Sequence, residues 1–339
     1  MEVTKLIIDI FGAGAIGLLF YSKLVSHSSV ATIHLWTRTS EQATLINKKG
    51  ITAQTSTTDY NVEAQTYIPS KLHQACAIYD MTDNENKPKA DYILVTVKQK
   101  DITADFVSYL KQRADHHTRI ICLQNGVRTD VWWDSPWQVY AAITTEGAKR
   151  ISPNEVSHTG IGKTVVGRVT NISSTRVVDQ SKAIDKEEQL SIQLLLNELQ
   201  KAGLDIVLSN NIDKDIYRKL VINAVINPLT AIWRIMNGEL LVSKQRLAVM
   251  RQLYDEVIEV YEANGIEVSS LWWEDILAIC QATSNNTSSM LADVLQSKTT
   301  EIQWINGSII KMGQDHHIST PTNDCVYHLI EAMNRQEDH

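Results

Sequence analysis

The feature that most constrains the fold is a glycine-rich segment near the N-terminus. Residues 5–11 form an apolar run typical of a buried strand, and they lead into Gly12-Ala13-Gly14-Ala15-Ile16-Gly17 and then into a helical pattern. In this context Gly12 allows a tight turn, Gly14 lets a pyrophosphate approach the backbone, and Gly17 lets the helix pack closely on the strand. The helix N-terminus adds N–H groups and a positive dipole end for phosphates. The segment predicts a dinucleotide-binding domain, with a purely structural turn as the alternative.

The next predicted strand, Thr32–Trp36, indicates which dinucleotide would be bound. In an NAD-binding domain the end of this strand usually presents a carboxylate to the ribose hydroxyls. Here Arg38 follows the strand with two hydroxyl residues behind it, and the first carboxylate is Glu41. A guanidinium suits a 2′-phosphate, so NADPH is predicted as the cofactor. An ordinary surface arginine is the alternative.

Further buried strands end in polar residues that could face the same ligand. The apolar run Tyr92–Val97 ends at Lys98, and Arg119–Leu123 is followed by Asn125. Tyr140–Thr145 continues the series. The carboxyl ends of parallel strands meet at one edge of a sheet, where a ligand crevice opens. Residues 50–90 are polar and only weakly patterned.

The helical pattern dominates after residue 210. Before that point strands and helices alternate, and a helix is predicted over Glu187–Ala202 with its leucines at 190, 194, 195 and 199 on the inner side. After it, helices are predicted from Asp213, over Leu247–Glu262 and over Ser270–Thr283. We therefore expect two domains, 1–209 and 210–339.

The first helix of the second half carries three polar residues in an apolar run. Lys219, Asn223 and Asn227 are spaced by four, which places them on one helix face. One interpretation is a structural hydrogen-bond ladder between packed helices. The other is a binding wall, in which an ammonium meets an oxygen that carries or gains charge and the amides meet hydroxyls.

Composition excludes several other functions. The net charge is −7 without a basic block, which speaks against nucleic acid or an anionic membrane as a partner. No apolar run approaches ~18 residues, so no membrane span is expected. The N-terminus has no signal-peptide pattern, and the four cysteines are far apart without metal-ligand spacing. These features predict a cytoplasmic protein with reduced thiols and no metal site.

Several motifs together resemble the ketopantoate reductase family over nearly the whole chain, in matching order. The glycine motif alone is weak, whereas the combination of the Lys219 helix with the later motifs is specific. The segments are FGAGAIG (11–17), VTVK (95–98), QNG (124–126), YRKLVINAVINPLTAIW (217–233), NGEL (237–240), NNTSSML (285–291) and TEIQWING (300–307). The resemblance implies an α/β Rossmann-type N-terminal domain followed by an all-α C-terminal domain, with the active site in the cleft between them.

The resemblance also implies an activity and a set of site residues. The activity is NADPH-dependent reduction of 2-dehydropantoate to (R)-pantoate in pantothenate biosynthesis, with Lys219 as the general acid. Such an enzyme takes a small 2-oxo acid and is a monomer or a homodimer. The substrate-binding residues implied are Lys219, Asn223, Asn227, Asn237, Asn286, Ser289 and Asn125. The cofactor-binding residues implied are those of the glycine motif, 12–17, with Arg38, Lys98, Asn125, Ala148 and Glu301.

Two departures and two alternatives accompany this resemblance. Arg128 stands where the family often has a second glycine after Asn125, and the segment between Arg38 and Lys98 is longer than usual. One alternative is an NADPH-dependent reductase of another branched 2-oxo acid on the same fold. The other is a non-catalytic NADP(H)-binding regulator.

Overall fold

The computed structural model describes residues 6–27, 31–57, 62–68, 75–77, 88–124, 137–169 and 186–334. These residues divide into two compact units, and the chain passes from the first to the second between Ile212 and Asp213. The predicted residues Asn125 and Arg128 lie outside the described residues.

The described part of the first unit combines twelve strands with four helices. The strands are β1 (Leu6–Phe11), β2 (Ala31–Thr37), β3 (Ile51–Thr57), β4 (Val62–Ile68), β5 (Ala75–Ala77), β6 (Tyr92–Val95), β7 (Arg119–Cys122), β8 (Gln138–Thr144), β9 (Gly147–Ser152), β10 (Glu155–Gly160), β11 (Lys163–Arg168) and β12 (Asp205–Leu208). The helices are α1 (Ala15–His27), α2 (Ser40–Lys49), α3 (Ala104–Arg113) and α4 (Lys186–Lys201).

The larger sheet has the strand order β12-β11-β8-β7-β6-β1-β2-β5 among the described residues. The six strands from β5 to β8 are parallel, because each pairs in parallel with its neighbour. After β1 the chain first adds strands on one side, β2 and β5, and then on the other, β6 to β8. This reversal between β1 and β6 is the switch point at which open α/β sheets bind ligands. The predicted Rossmann-type fold is confirmed.

A second sheet with the order β4-β3-β10-β9 lies in the same unit. Its β9–β10 hairpin follows directly after β8 and pairs Ala148 with His158. The sequence pattern predicts no hairpin here. Lys149 and Arg150 on β9 are exposed, so the strand lacks the apolar run that marks β1 or β6.

The prediction for the inner face of α4 is half wrong. Leu195 and Leu199 are buried, but 69% of Leu190 and 51% of Leu194 are exposed. The buried stripe of α4 runs through Glu188, Ile192, Leu195, Leu196 and Leu199. It includes Glu188 because its carboxylate accepts hydrogen bonds from the Tyr140 hydroxyl (2.7 Å) and from Arg168 (3.0 Å). These partners compensate the cost of burying the charge.

The second unit is largely helical, as predicted for the C-terminal half. Its helices are α5 (Ile212–Trp233), α6 (Lys244–Ala263), α7 (Trp272–Ala282), α8 (Ser289–Leu295), α9 (Asn306–Asp315) and α10 (Pro321–Met333), with 3₁₀ turns at Asn237–Val242 and Ile302–Trp304. Helix α5 is buried in the core of this unit through Leu220, Val221, Ala224, Val225 and Leu229. Within the described residues, no helix has both the length and the apolar character needed to cross a membrane.

Candidate functional site

The three glycines of the turn between β1 and α1 differ in what an added side chain would meet. Gly12 has a φ of 111°, in the region that favours glycine, and a Cβ there would lie 2.9 Å from the Thr96 Oγ1. A Cβ on Gly17 would lie 1.8 Å from the carbonyl oxygen of Gly12. At Gly14 a Cβ would meet no atom of the described residues within 4 Å. Gly12 and Gly17 are therefore needed by the fold, whereas Gly14 leaves a bare surface beside the turn.

Polar side chains that follow the neighbouring strands β6 and β7 hold this turn and the adjacent end of β6 in place. The Thr96 hydroxyl lies 3.0 Å from the carbonyl oxygen of Phe11 and 2.8 Å from that of Gly12. The Gln124 amide donates to the carbonyl oxygens of Val95 (2.8 Å) and Val97 (3.1 Å). The sequence motifs alone predict no role for Thr96 or Gln124. Their position directly after buried strands was the available signal.

The carbonyl oxygen of Ala13 is fixed from two other elements. Gln42 of α2 donates to it at 3.1 Å, and the Arg150 guanidinium of β9 lies at 3.4 Å. These two residues also border a surface concavity of about 220 Å³, lined by Thr39, Glu41, Gln42, Leu45, Arg150 and Pro153. Arg150 was missed by the sequence analysis because its approach to the turn depends on the unpredicted hairpin.

The other predicted cofactor residues of the first unit sit beyond the carboxyl ends of their strands. Arg38 follows β2 and is exposed, and its Nη1 lies 3.9 Å from the Asp101 Oδ1. Such a solvated pair contributes little, so the guanidinium can exchange partners. Lys98 follows β6 and is half-buried. Because β1, β2 and β6 are parallel neighbours, Gly12, Arg38 and Lys98 lie at one edge of the sheet.

Ala148 lies at the start of β9, where a buried pair fixes the corner between β8 and β9. The His158 Nε2 is 2.5 Å from the Glu146 Oε2, and the N–H of Gly162 donates to the same oxygen at 3.2 Å. The pair thus positions the backbone at Ala148. Among the described residues, no group of three or more His, Cys, Asp or Glu side chains is placed to hold a metal ion.

In the second unit, the continuous helix α5 places Lys219, Asn223 and Asn227 on one face. Lys219 and Asn223 are half-buried, and Asn227 is 6% exposed. Burial lowers the pKa of Lys219 to about 8, although the Glu301 carboxylate opposes part of this shift. The structure therefore brings Lys219 and Glu301, which are far apart in sequence, into one electrostatic environment.

Asn237 and Asn286 are also brought together in this unit. The N–H of Asn237 donates to the carbonyl oxygen of Asn286 at 3.1 Å, and its side-chain amide donates to the Thr283 Oγ1 at 2.9 Å. A Cβ on Gly238 would lie 2.5 Å from the Cβ of Ser284, so glycine permits this close approach. The side chain of Asn286 is exposed.

Of the two serines that could cap α8, Ser288 is the cap. Its hydroxyl accepts a hydrogen bond from the N–H of Leu291 at 3.1 Å and lies 2.7 Å from the Thr230 hydroxyl on α5. Ser289 is the first residue of α8 and is exposed. Ser288 therefore ties α8 to α5, while the Ser289 side chain is exposed.

The sheet order, the glycine turn and the bare surface at Gly14 define a dinucleotide-binding protein of the Rossmann class. Two family models then match almost the whole chain: "Ketopantoate reductase PanE/ApbA" over residues 8–171 and "Ketopantoate reductase PanE/ApbA C terminal" over residues 211–334. The chain belongs to the ketopantoate reductase family, as its motifs predicted.

Individual relatives agree with this assignment. The 2-dehydropantoate 2-reductase of Vibrio cholerae is 28% identical over 331 residues, which cover 96% of this chain and 97% of the relative. The crystal structure of a probable 2-dehydropantoate 2-reductase from Bacillus subtilis has a TM-score of 0.74 and 27% identity, covering 97% of this chain and all of that one. The ternary structure of D-mandelate dehydrogenase with NADH and anilino(oxo)acetate has a TM-score of 0.78 at 21% identity, with 97% and 98% covered, and shares the fold.

Proposed function

We propose that this chain reduces 2-dehydropantoate (ketopantoate) to (R)-pantoate with NADPH, a step of pantothenate biosynthesis, and that Lys219 is the general acid. The family assignment and the full-length relatives with this activity in their names support the reaction. The observation that carries the role of Lys219 is its half-buried position on the polar face of α5 with a pKa lowered to about 8.

The lowered pKa suits the chemistry at the C2 carbonyl. NADPH, when bound, supplies a hydride to C2. The carbonyl oxygen then gains negative charge, which the Lys219 ammonium stabilises and neutralises by donating a proton from Nζ. An acid whose pKa lies near the working pH donates more readily than an ordinary lysine and is still largely protonated at pH 7. Lys219 is left as a neutral amine and regains its proton from solvent.

The remaining polar groups of the second unit would bind and orient the substrate. Asn223 and Asn227 present amides on the same helix face as Lys219 and suit the C4 hydroxyl and the ketone. Asn237 lies in the 3₁₀ turn after α5, Asn286 lies just before α8, and Ser289 is the first residue of α8; with Asn125 they complete the proposed set. Orientation of this kind can supply several kcal/mol of the barrier lowering.

The proposed cofactor residues come from the strand ends of the first unit. The bare surface at Gly14 fits the pyrophosphate, and Arg38 suits a 2′-phosphate, which supports NADPH over NADH. Lys98 and Asn125 are proposed to contact the cofactor, with Asn125 also near the substrate. Ala148 is proposed as a backbone contact on the nicotinamide side, and Glu301 as a polar partner of a cofactor ribose. The location of the site between the two units, the cytoplasmic location and the monomeric or homodimeric state stay predictions.

The direct test measures oxidation of NADPH and of NADH by the purified chain with ketopantoate and with 2-oxoisovalerate. We expect the highest kcat/KM with NADPH and ketopantoate, because only ketopantoate offers a C4 hydroxyl to the amides. A preference for 2-oxoisovalerate would favour the alternative, a reductase of another branched 2-oxo acid. D-mandelate dehydrogenase shares the fold, so the fold alone does not select ketopantoate over another 2-oxo acid. A preference for NADH would contradict the role of Arg38.

A further inference from the structure

Helix α5 contains a proline in its interior, within the stretch that carries the proposed substrate groups. Pro228 has no N–H, so the carbonyl oxygen of Ala224, one turn earlier, loses its ordinary helical partner. Both residues are buried. An unpaired carbonyl at such a position is costly, so a partner from elsewhere in the unit is expected.

That partner is Asn306, the first residue of α9. Its side-chain amide donates to the carbonyl oxygen of Ala224 at 3.1 Å and also to the Oδ1 of Asn323 on α10 at 2.9 Å. Asn306 and Asn323 are fully buried. Asn306 therefore replaces the hydrogen bond that the proline removes.

A carboxylate at the other end of this series of hydrogen bonds fixes which group donates at each step. Glu256 of α6 accepts hydrogen bonds from the side-chain amide of Asn323 (2.8 Å) and from its main-chain N–H (2.9 Å). A carboxylate can only accept, so the amide of Asn323 must turn its NH₂ toward Glu256 and its oxygen toward Asn306. Asn306 must then donate, and its second N–H points at Ala224. The series of hydrogen bonds from the half-buried Glu256 to the buried Ala224 thus has one orientation.

The same asparagine anchors the segment that carries Glu301. At the start of that segment the N–H of Thr300 donates to the Asn334 Oδ1 at 3.1 Å, and at its end Asn306 is bound to α5. Glu301 lies between the two anchors. A shift of Asn306 would therefore disturb both the course of α5 and the carboxylate that acts on Lys219.

We propose that Asn306 is a positioning residue for the reaction: by supplying the hydrogen bond missing at Pro228, it sets the course of α5 between Asn223 and Asn227. The inference rests on the proposed function only in that these asparagines face the substrate. Whether Asn306 replaces the missing helical hydrogen bond can be tested without an activity assay.

The first experiment is a double-mutant cycle on the denaturation midpoint of the full chain. It compares the wild type, Asn306→Ala, Pro228→Ala and the double variant. In the Pro228→Ala background, residue 228 regains an N–H that can serve Ala224, so Asn306→Ala should lower the midpoint much less than it does in the wild type. If Asn306→Ala lowers the midpoint equally in both backgrounds, Asn306 does not replace the hydrogen bond that Pro228 removes.

The second experiment reads the positioning role in the kinetics. Asn306→Ala should raise the KM for ketopantoate or lower kcat by about tenfold to a hundredfold, as small misplacements do. Pro228→Ala added to Asn306→Ala should recover part of that loss. The control is Asn264→Ala, because Asn264 is a half-buried asparagine whose amide donates to the carbonyl oxygens of Val260 (2.8 Å) and Met312 (3.4 Å), both outside α5.

The control variant should lose stability but keep its KM and kcat. If Asn306→Ala also loses only stability, the positioning role is wrong even when the first cycle succeeds. If the wild type itself does not reduce ketopantoate, the proposed function fails, while the stability cycle still decides whether Asn306 serves Ala224.

Discussion

Lys219 and Glu301 are coupled across the helical unit: burial lowers the pKa of the Lys219 ammonium to about 8, and the Glu301 carboxylate holds it above the value that burial alone would give. A general acid must be protonated in the reactive form, so kcat/KM for ketopantoate reduction should fall as the pH rises through about 8. Replacing Glu301 by Gln removes the opposing charge and should move this fall to lower pH.

The pH profile needs a carboxylate control in the same unit. Glu267 pairs with Lys214 on the surface, so Glu267→Gln should leave the profile where it is in the wild type. Profiles of kcat/KM between pH 6 and 10, recorded for the three proteins, decide the point. A Glu301→Gln profile that coincides with the wild type would refute the coupling.

Removal of the Lys219 amine tests the general acid directly. Lys219→Ala should lower kcat by ~10²-fold or more, because the proton donor and the charge that stabilises the developing alkoxide are both lost. Its binding of NADPH, measured by fluorescence titration, should change little. The matched control is Lys214→Ala on the same helix, where Lys214 pairs with Glu267 at the surface. Turnover near the wild-type value in Lys219→Ala would exclude this role.

Two glycines of the same turn should respond differently to alanine. A Cβ at Gly14 meets no atom of the described residues within 4 Å, so Gly14→Ala should keep its thermal midpoint but bind NADPH more weakly. A Cβ at Gly17 would collide with the Gly12 carbonyl oxygen, so Gly17→Ala should lower the midpoint. Thermal unfolding and NADPH titration of both variants separate the two effects. Tight NADPH binding by Gly14→Ala would mean that no phosphate approaches this position.

The sequence predicted the features that depend on local chemistry. The glycine motif and the unbroken apolar strands gave the Rossmann-type fold, because buried parallel strands carry a strong signal. The spacing of Lys219, Asn223 and Asn227 gave the polar face of α5. A spacing identifies a face but not what covers it, which is why the structure was needed to show that Lys219 is half-buried and coupled to Glu301.

The missed features depend on contacts between distant segments. Arg150 reaches the glycine turn through a hairpin whose strands lack an apolar run. The Asn306 side-chain amide donates to the carbonyl oxygen of Ala224, 82 positions earlier in the chain. Leu190 and Leu194 are wrongly predicted on the buried face because leucines occupy more than one face of α4. The buried face is in fact fixed by Glu188 and its partners Tyr140 and Arg168.

Arg38 should control the choice between the two nicotinamide cofactors. Arg38→Gln removes a cation from the proposed 2′-phosphate position, and a charged hydrogen bond contributes about 1.5–3 kcal/mol. The dissociation constant of NADPH should therefore rise about tenfold or more, while that of NADH changes little. Lys48→Gln, an exposed cation on α2, serves as the control and should leave both constants unchanged. An equal loss for NADPH and NADH would show that Arg38 does not contact the 2′-phosphate.

A buried cluster of ionisable side chains in the first unit should make the folding stability depend on pH in the acid range. Asp9 of β1 is fully buried, with His34 at 2.8 Å and the Arg113 guanidinium at 2.7 Å. Burial alone would raise the pKa of this carboxyl, but the hydrogen bonds from His34 and Arg113 outweigh it, so the pKa is lowered. The stabilisation is therefore present above the unfolded pKa of about 3.9 and is lost as the pH falls through the folded value.

Asp9→Asn keeps the size of the side chain but leaves Arg113 buried without its carboxylate. We expect the free energy of unfolding at pH 7 to fall by about 3–5 kcal/mol, as in other broken buried pairs. This loss should shrink as the pH falls below the unfolded pKa and through the lowered folded value, where the wild-type carboxyl itself becomes protonated. Urea unfolding of both proteins between pH 2 and 7 measures it, with the exposed Asp205→Asn as a control that should follow the wild type. A loss that stays constant over this range would show that the charge of Asp9 does not contribute to the stability.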